Sequence, residues 1–126
     1  MRLQAHPEPA PEDAAVVTKA ALRAAERLGV KNNVLARIVG LSEPTISRLR
    51  KGSLALEPGQ KAFELALLFV RLYRSLDAIV GGDDAVAADW LKNRNIALEA
   101  APLDLIQTIA GLTNVIAYLD SRRALT

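Results

Sequence analysis

The chain has 126 residues, 51% of them hydrophobic and 4% aromatic, with a formal net charge of +2. That is enough for one domain or two very small ones, and the alanine- and leucine-rich composition favours helices over strands. The absence of cysteine excludes disulfides, zinc–cysteine sites and thiol catalysis. Charge is distributed unevenly. From Lys31 to Lys61 the bases Lys31, Arg37, Arg48, Arg50, Lys51 and Lys61 face only Glu43 and Glu57. From Asp83 onward Asp83, Asp84, Asp89, Glu99, Asp104 and Asp120 outnumber Lys92, Arg94, Arg122 and Arg123. A basic half and a mildly acidic half suggest two jobs. The start shows no basic segment followed by an apolar run, and the apolar run Leu65 to Val70 is too short to span a bilayer. A soluble cytoplasmic protein without a membrane partner is expected.

In chain order, residues 1–12 carry Pro7, Pro9 and Pro11, a spacing that predicts an extended tail. His6, the sole histidine, lies there without partners for metal or acid–base work. Asp13 is placed to cap a helix running to about Leu28, which Gly29 ends. From Asn32 to Gly52 two short helices are expected around a tight turn. Leu35, Ala36 and Val39 give the first an apolar face. Gly40 stops it, since a left-handed backbone costs glycine little. Ser42 is an N-cap for the second, Ile46 and Leu49 bury its inner face, and small Ala36 lets the two helices cross closely.

Residues 53–59 read as a loop. A long helix from about Gln60 to Val80 is apolar almost all round, with Phe63, Leu65, Leu67, Phe69, Leu72, Tyr73 and Leu76, so it needs cover on several sides. It is both the central core helix and, through Phe63, Phe69 and Tyr73, the candidate dimer interface. Gly81-Gly82 is the expected domain boundary, dividing 13–80 from 81–126. Asp83 caps the next helix, whose acidic start and basic Lys92 and Arg94 suit the helix dipole. Residues 96–101 connect it to a helix from Pro102 to about Ala110. Gly111 is expected to break the chain before a last helix from about Thr113 to Arg122. The fold class is all-α: a helix-turn-helix domain, a long linking helix and a small three-helix domain.

Two helices joined in this way form the unit whose second helix enters the DNA major groove. Its outward residues are Glu43, Pro44, Thr45, Ser47, Arg48, Arg50 and Lys51. Ser47 and Arg48 are expected to face bases with Glu43 and Pro44 at the groove floor, and Thr45, Arg50 and Lys51 to lie nearer phosphates. The segment LSEPTISRLRKG resembles the phage-repressor-like, Xre-type helix-turn-helix. One recognition helix reads few base pairs, so a homodimer on a two-part operator is expected. The chain has no glycine-rich phosphate loop, no serine–histidine pair in plausible context and no metal-ligand cluster, so it reads as a non-enzyme without a cofactor.

The stretch DWLKNRNIALEAAPLDLIQTIAGLTNVIAYLD resembles the C-terminal toxin-binding domain of Xre/MbcA/ParS-type antitoxins. The resemblance is carried by Trp90-Leu91, Asn95, Leu98, Pro102-Leu103, Leu105-Ile106, Thr108, Gly111, Val115 and Leu119. The family often has glycine before the proline, where this chain has Glu99-Ala100-Ala101, and here arginine precedes Asn95. The resemblance implies an antitoxin whose partner is a RES-domain toxin that degrades NAD⁺, and which shields that toxin's active site and represses their shared promoter. A toxin-binding set of Trp90, Asn95, Tyr118, Arg122 and Arg123 is expected, against the alternative that the arginines only complement the helix dipole and Trp90 is buried in its own core. The two arginines would form a fork reaching an active-site glutamate, with Trp90 and Tyr118 as apolar anchors. The rival readings are a stand-alone repressor whose C-terminal half dimerises, and an adaptor that has lost DNA binding.

Overall fold

The computed structural model describes residues 11–124. Within them lie seven helices: α1 (Pro11–Arg27), α2 (Asn32–Val39), α3 (Glu43–Lys51), α4 (Lys61–Ile79), α5 (Asp84–Lys92), α6 (Pro102–Leu105) and α7 (Ile109–Ala124). In place of strands there is one isolated bridge, Asn95 to Ala100. The all-α expectation holds. His6, Pro7 and Pro9 lie outside the described residues.

Local chemistry accounts for most helix ends. Gly40 adopts φ 72° and closes α2, and the Leu41 amide donates to the Ala36 carbonyl at 2.9 Å. Ser42 caps α3, its hydroxyl accepting from the Thr45 amide at 3.2 Å. Asp83 caps α5 in the same manner, accepting from the Val86 amide at 3.2 Å. Each such cap satisfies an amide that the helix cannot, worth about 1 kcal/mol.

Two boundaries differ from the sequence reading. Helix α1 begins at Pro11 rather than after Asp13, because a first-turn residue has no intrahelical use for its N–H and proline forfeits nothing there. The expected break at Gly111 is absent. Helix α6 has four residues and ends at Leu105, the chain turns at Ile106 to Thr108, and Gly111 lies buried inside α7. Thr108 opens α7: its hydroxyl accepts from the Gly111 amide at 3.0 Å and its carbonyl from Leu112 at 2.9 Å. Glycine is required at 111 by proximity, not by backbone freedom. A Cβ there would stand 1.8 Å from the Leu105 carbonyl oxygen, so α7 meets the end of α6 where only glycine fits.

Helix α4 is the spine. It packs most extensively against α7, then against α1 and α2. Phe69, Leu72 and Leu76 on α4 are fully buried with Leu28, Leu35, Ile46, Leu91, Leu112 and Leu119, each burial contributing roughly 1.5–3 kcal/mol. The buried residues form one cluster running from α1 to α7 across the Gly81-Gly82 turn. This placement corrects the interface expected on α4. Phe69 is 0% and Phe63 4% exposed, so both are spent inside one chain and offer no surface to a second. Tyr73 is half-buried, and its hydroxyl accepts from Arg27 at 3.2 Å and donates to Asp84 at 3.3 Å. It ties α1, α4 and α5 together. The hydrogen bond that Arg27 donates to Tyr73, with the nearby Asp84 carboxylate, raises the Arg27 guanidinium above its ordinary value.

Buried polar groups are few and paired. Thr18 hydrogen-bonds to the Ala14 carbonyl on α1, and its oxygen accepts from the Leu56 amide at 3.0 Å, which pins the loop after α3 to α1. Ser75 donates to Asp120 at 3.0 Å and joins α4 to α7. Among the described residues no buried side-chain polar atom lacks a partner.

Candidate nucleic-acid interface and partner-binding face

Helix α3 is anchored on one side and open on the other. Ile46 (0% exposed) and Leu49 (5%) fix it to the core, while Glu43, Pro44, Arg48, Arg50 and Lys51 are exposed and Ser47 is half-buried. Glu43 stands in the positive first turn, and Arg48, Arg50 and Lys51 in the negative last turn, so the helix dipole favours both charge sets. Glu43, Pro44, Ser47, Arg48 and Lys51 line one shallow concavity of about 480 Å³. The other two expected residues stand apart. The Thr45 hydroxyl lies 2.7 Å from that of Ser42, and Thr45 borders a different groove beside Leu49 and Leu54. Arg50 donates to the Asn32 side chain at 2.6 Å, which holds its guanidinium near the start of α2. Asn32 was not singled out from sequence; its partner lies eighteen positions away, and no local pattern marks it.

The second face belongs to α5 and α7. Trp90 and Tyr118 stack with ring centroids 6.3 Å apart and planes 14° from parallel. Arg122 lies over the Tyr118 ring, 5.9 Å from its centroid, and its Nη1 donates to the Tyr118 hydroxyl at 3.3 Å. The structure thus gathers three of the five residues expected there into one column of two rings and a cation. Arg123 departs from it. Its guanidinium donates to Ser75 on α4 at 3.2 Å and lines a groove of about 830 Å³ between α1, α4 and α7, beside Arg71, Arg74 and Leu67. Successive helical residues diverge by about 100°, and both arginines belong to α7 itself, so they do not form a fork. Leu125 and Thr126 lie outside the described residues. Asn95 is occupied in its own loop, its side-chain oxygen accepting from the Leu98 amide at 3.0 Å.

Three features escaped the sequence reading. Arg37 on α2 donates to Gln107 at 3.4 Å, bracing the helix-turn-helix against the turn before α7. Arg71 pairs with Asp120. Ile96 stands almost wholly in solvent. The first two join residues 70 and 49 positions apart, beyond any periodicity. Ile96 was read only as part of a connection.

A serine-capped, basic, outward-facing second helix behind a tight glycine turn defines a helix-turn-helix DNA-binding protein. Residues 8–71 match the antitoxin Xre-like helix-turn-helix domain family, and residues 75–124 match the antitoxin Xre/MbcA/ParS C-terminal toxin-binding domain family. The chain belongs to the Xre-like antitoxins, with a DNA-binding part and a toxin-binding part. No curated protein shows significant similarity to it. No described helix is long and apolar enough to cross a membrane.

Proposed function

We propose that the chain is the antitoxin of a type II toxin–antitoxin pair, which binds and neutralises an NAD⁺-degrading RES-domain toxin in the cytoplasm and represses its own operon as a homodimer. The observation that carries this reading is the union, in one short chain, of an open recognition helix with a toxin-binding domain. The chain acts by occlusion and needs neither catalysis nor a cofactor. Arg122, steadied over Tyr118, supplies the cation for an acidic group in the toxin cleft. Trp90 and Tyr118 supply the apolar area that commonly anchors such a contact. Arg123, bonded to Ser75, braces α7 on α4. With Phe63 and Phe69 inside the core, the homodimer is formed by exposed side chains elsewhere.

Co-expression with the cognate RES-domain toxin tests the reading. The intact chain preserves cellular NAD⁺ and growth, Arg122→Ala loses that protection, and Arg123→Ala keeps it. A chain that binds the operator yet leaves NAD⁺ to be consumed would overturn the antitoxin assignment. Protection that survives Arg122→Ala and Arg123→Ala together would move the block to the body of the domain.

A further inference from the structure

Ile96 is 93% exposed, more than the other large hydrophobic side chains that reach solvent, such as Val16 at 64% and Val86 at 49%. Single exposed apolar residues are common and decide nothing alone. The loop that carries this one is not an ordinary loop. Its base is closed by the Asn95 amide donating to the Ala100 carbonyl at 3.0 Å, the two residues forming an isolated bridge. Its interior is braced by the Asn95 side chain, which accepts from the Leu98 amide at 3.0 Å. Leu98 packs against the core and anchors the loop to the body of the fold. Glu99 completes the turn with φ 61°, the one positive φ outside glycine among the described residues. Turns of this kind ordinarily carry polar residues at their corners. Here a β-branched apolar side chain stands at the corner of a backbone held in place by three separate devices.

We propose that Ile96 is a preformed apolar knob, which enters an apolar pocket of the protein toxin, and that residues 95–100 are part of the toxin-binding surface. The proposal rests on the antitoxin reading. The occupant follows from position: the loop falls within residues 75–124, the stretch that matches a toxin-binding domain. The energetic reasoning concerns ordering. A side chain on a loose loop gives back much of its binding free energy in lost freedom, whereas one on a braced loop does not. Backbone strain of the kind seen at Glu99 is also concentrated where a protein grips another molecule. Arg94 and Glu99, both exposed, flank the knob in sequence and provide a polar rim of the sort that surrounds apolar interface centres.

The test uses the full chain and a catalytically inactive form of its cognate RES-domain toxin, titrated calorimetrically. Ile96→Asp lowers the affinity by about ten- to hundredfold, as expected for a buried interface isoleucine. Ile96→Leu changes it by less than about threefold, because size and polarity are kept. Both variants melt with the parent and bind operator DNA equally, since the side chain touches almost nothing in the chain itself. Amide exchange at residues 95–100 slows when the toxin is added. Toxin affinity unchanged in Ile96→Asp, with no added protection of the loop, would overturn the inference while leaving the antitoxin reading intact. Loss of a homodimer in Ile96→Asp at unchanged toxin affinity would also overturn it, assigning the knob to a second copy. An intact chain that fails to bind the toxin would overturn both.

Discussion

At Gly111 a single hydrogen atom decides whether the C-terminal half can pack. Glycine inside a helix normally costs about 1 kcal/mol relative to alanine, so Gly→Ala in a helix is ordinarily stabilising. Here the added Cβ would meet the Leu105 carbonyl at 1.8 Å, and backbone cannot yield as a flexible side chain does. Overpacking of this kind costs about 1–3 kcal/mol or more, which outweighs the propensity gain. Gly111→Ala therefore lowers the denaturation midpoint, measured by urea titration. Glu99 is the opposite case. Its φ of 61° costs an L-residue roughly 1–2 kcal/mol, and glycine would give back only part of this in unfolded-state entropy. Glu99→Gly raises stability by up to about 1 kcal/mol in the same titration.

Helix α3 is presented by its neighbours more than by its own length. Nine residues form a marginal helix in isolation. The Ser42 cap, the buried Ile46 and Leu49 and the turn at Gly40 hold it outward. Ser42→Ala costs about 1 kcal/mol of stability through the lost cap, read from the thermal transition. On operator DNA, Arg48→Ala weakens binding by about 1–3 kcal/mol, as loss of a base contact does. Lys51→Ala weakens all sequences alike and reduces the slope of log affinity against log salt by about one phosphate's worth. Gel-shift titrations at several salt concentrations separate the two. Arg48→Ala binding as tightly as the parent while folded would show that α3 docks by another edge.

For the whole molecule the decisive fact is that α4 serves both halves. Its sides are covered by α1 and α2 from the DNA-binding part and by α7 from the toxin-binding part. Ser75, Asp120, Arg71 and Arg123 stitch the second of these contacts, and Arg37 reaches Gln107 across the same divide. A chain cut after Val80 would leave the face of α4 that packs on α7 in water, where such an apolar stripe favours collapse or association. The expected result is a truncated protein with poorly dispersed amide spectra. The intact chain should unfold in one cooperative step, with calorimetric and van't Hoff enthalpies equal. Two resolved transitions would show instead that the Gly81-Gly82 turn separates independent units.

What the residues determined by themselves is whatever is settled within a turn or two of helix. Capping by Ser42 and Asp83 and the stop at Gly40 depend on partners at most five positions away, and the inward Ile46 and Leu49 and the basic outer face of α3 follow from helical spacing alone. All were legible, as was the motif order that marks the family. The surplus apolar surface of α4 was legible too, but not its cover: periodicity states that a face must be buried and is silent on whether α7 or a second chain buries it. Only the tertiary fold placed Phe63 and Phe69 in the core, used Tyr73 as a tie between three helices and turned Arg122 and Arg123 to different sides. It also revealed that Gly111 answers a steric contact with Leu105, not a helix end. These outcomes depend on contacts that chain order does not encode locally, made when helices far apart in sequence compete for the same apolar surface.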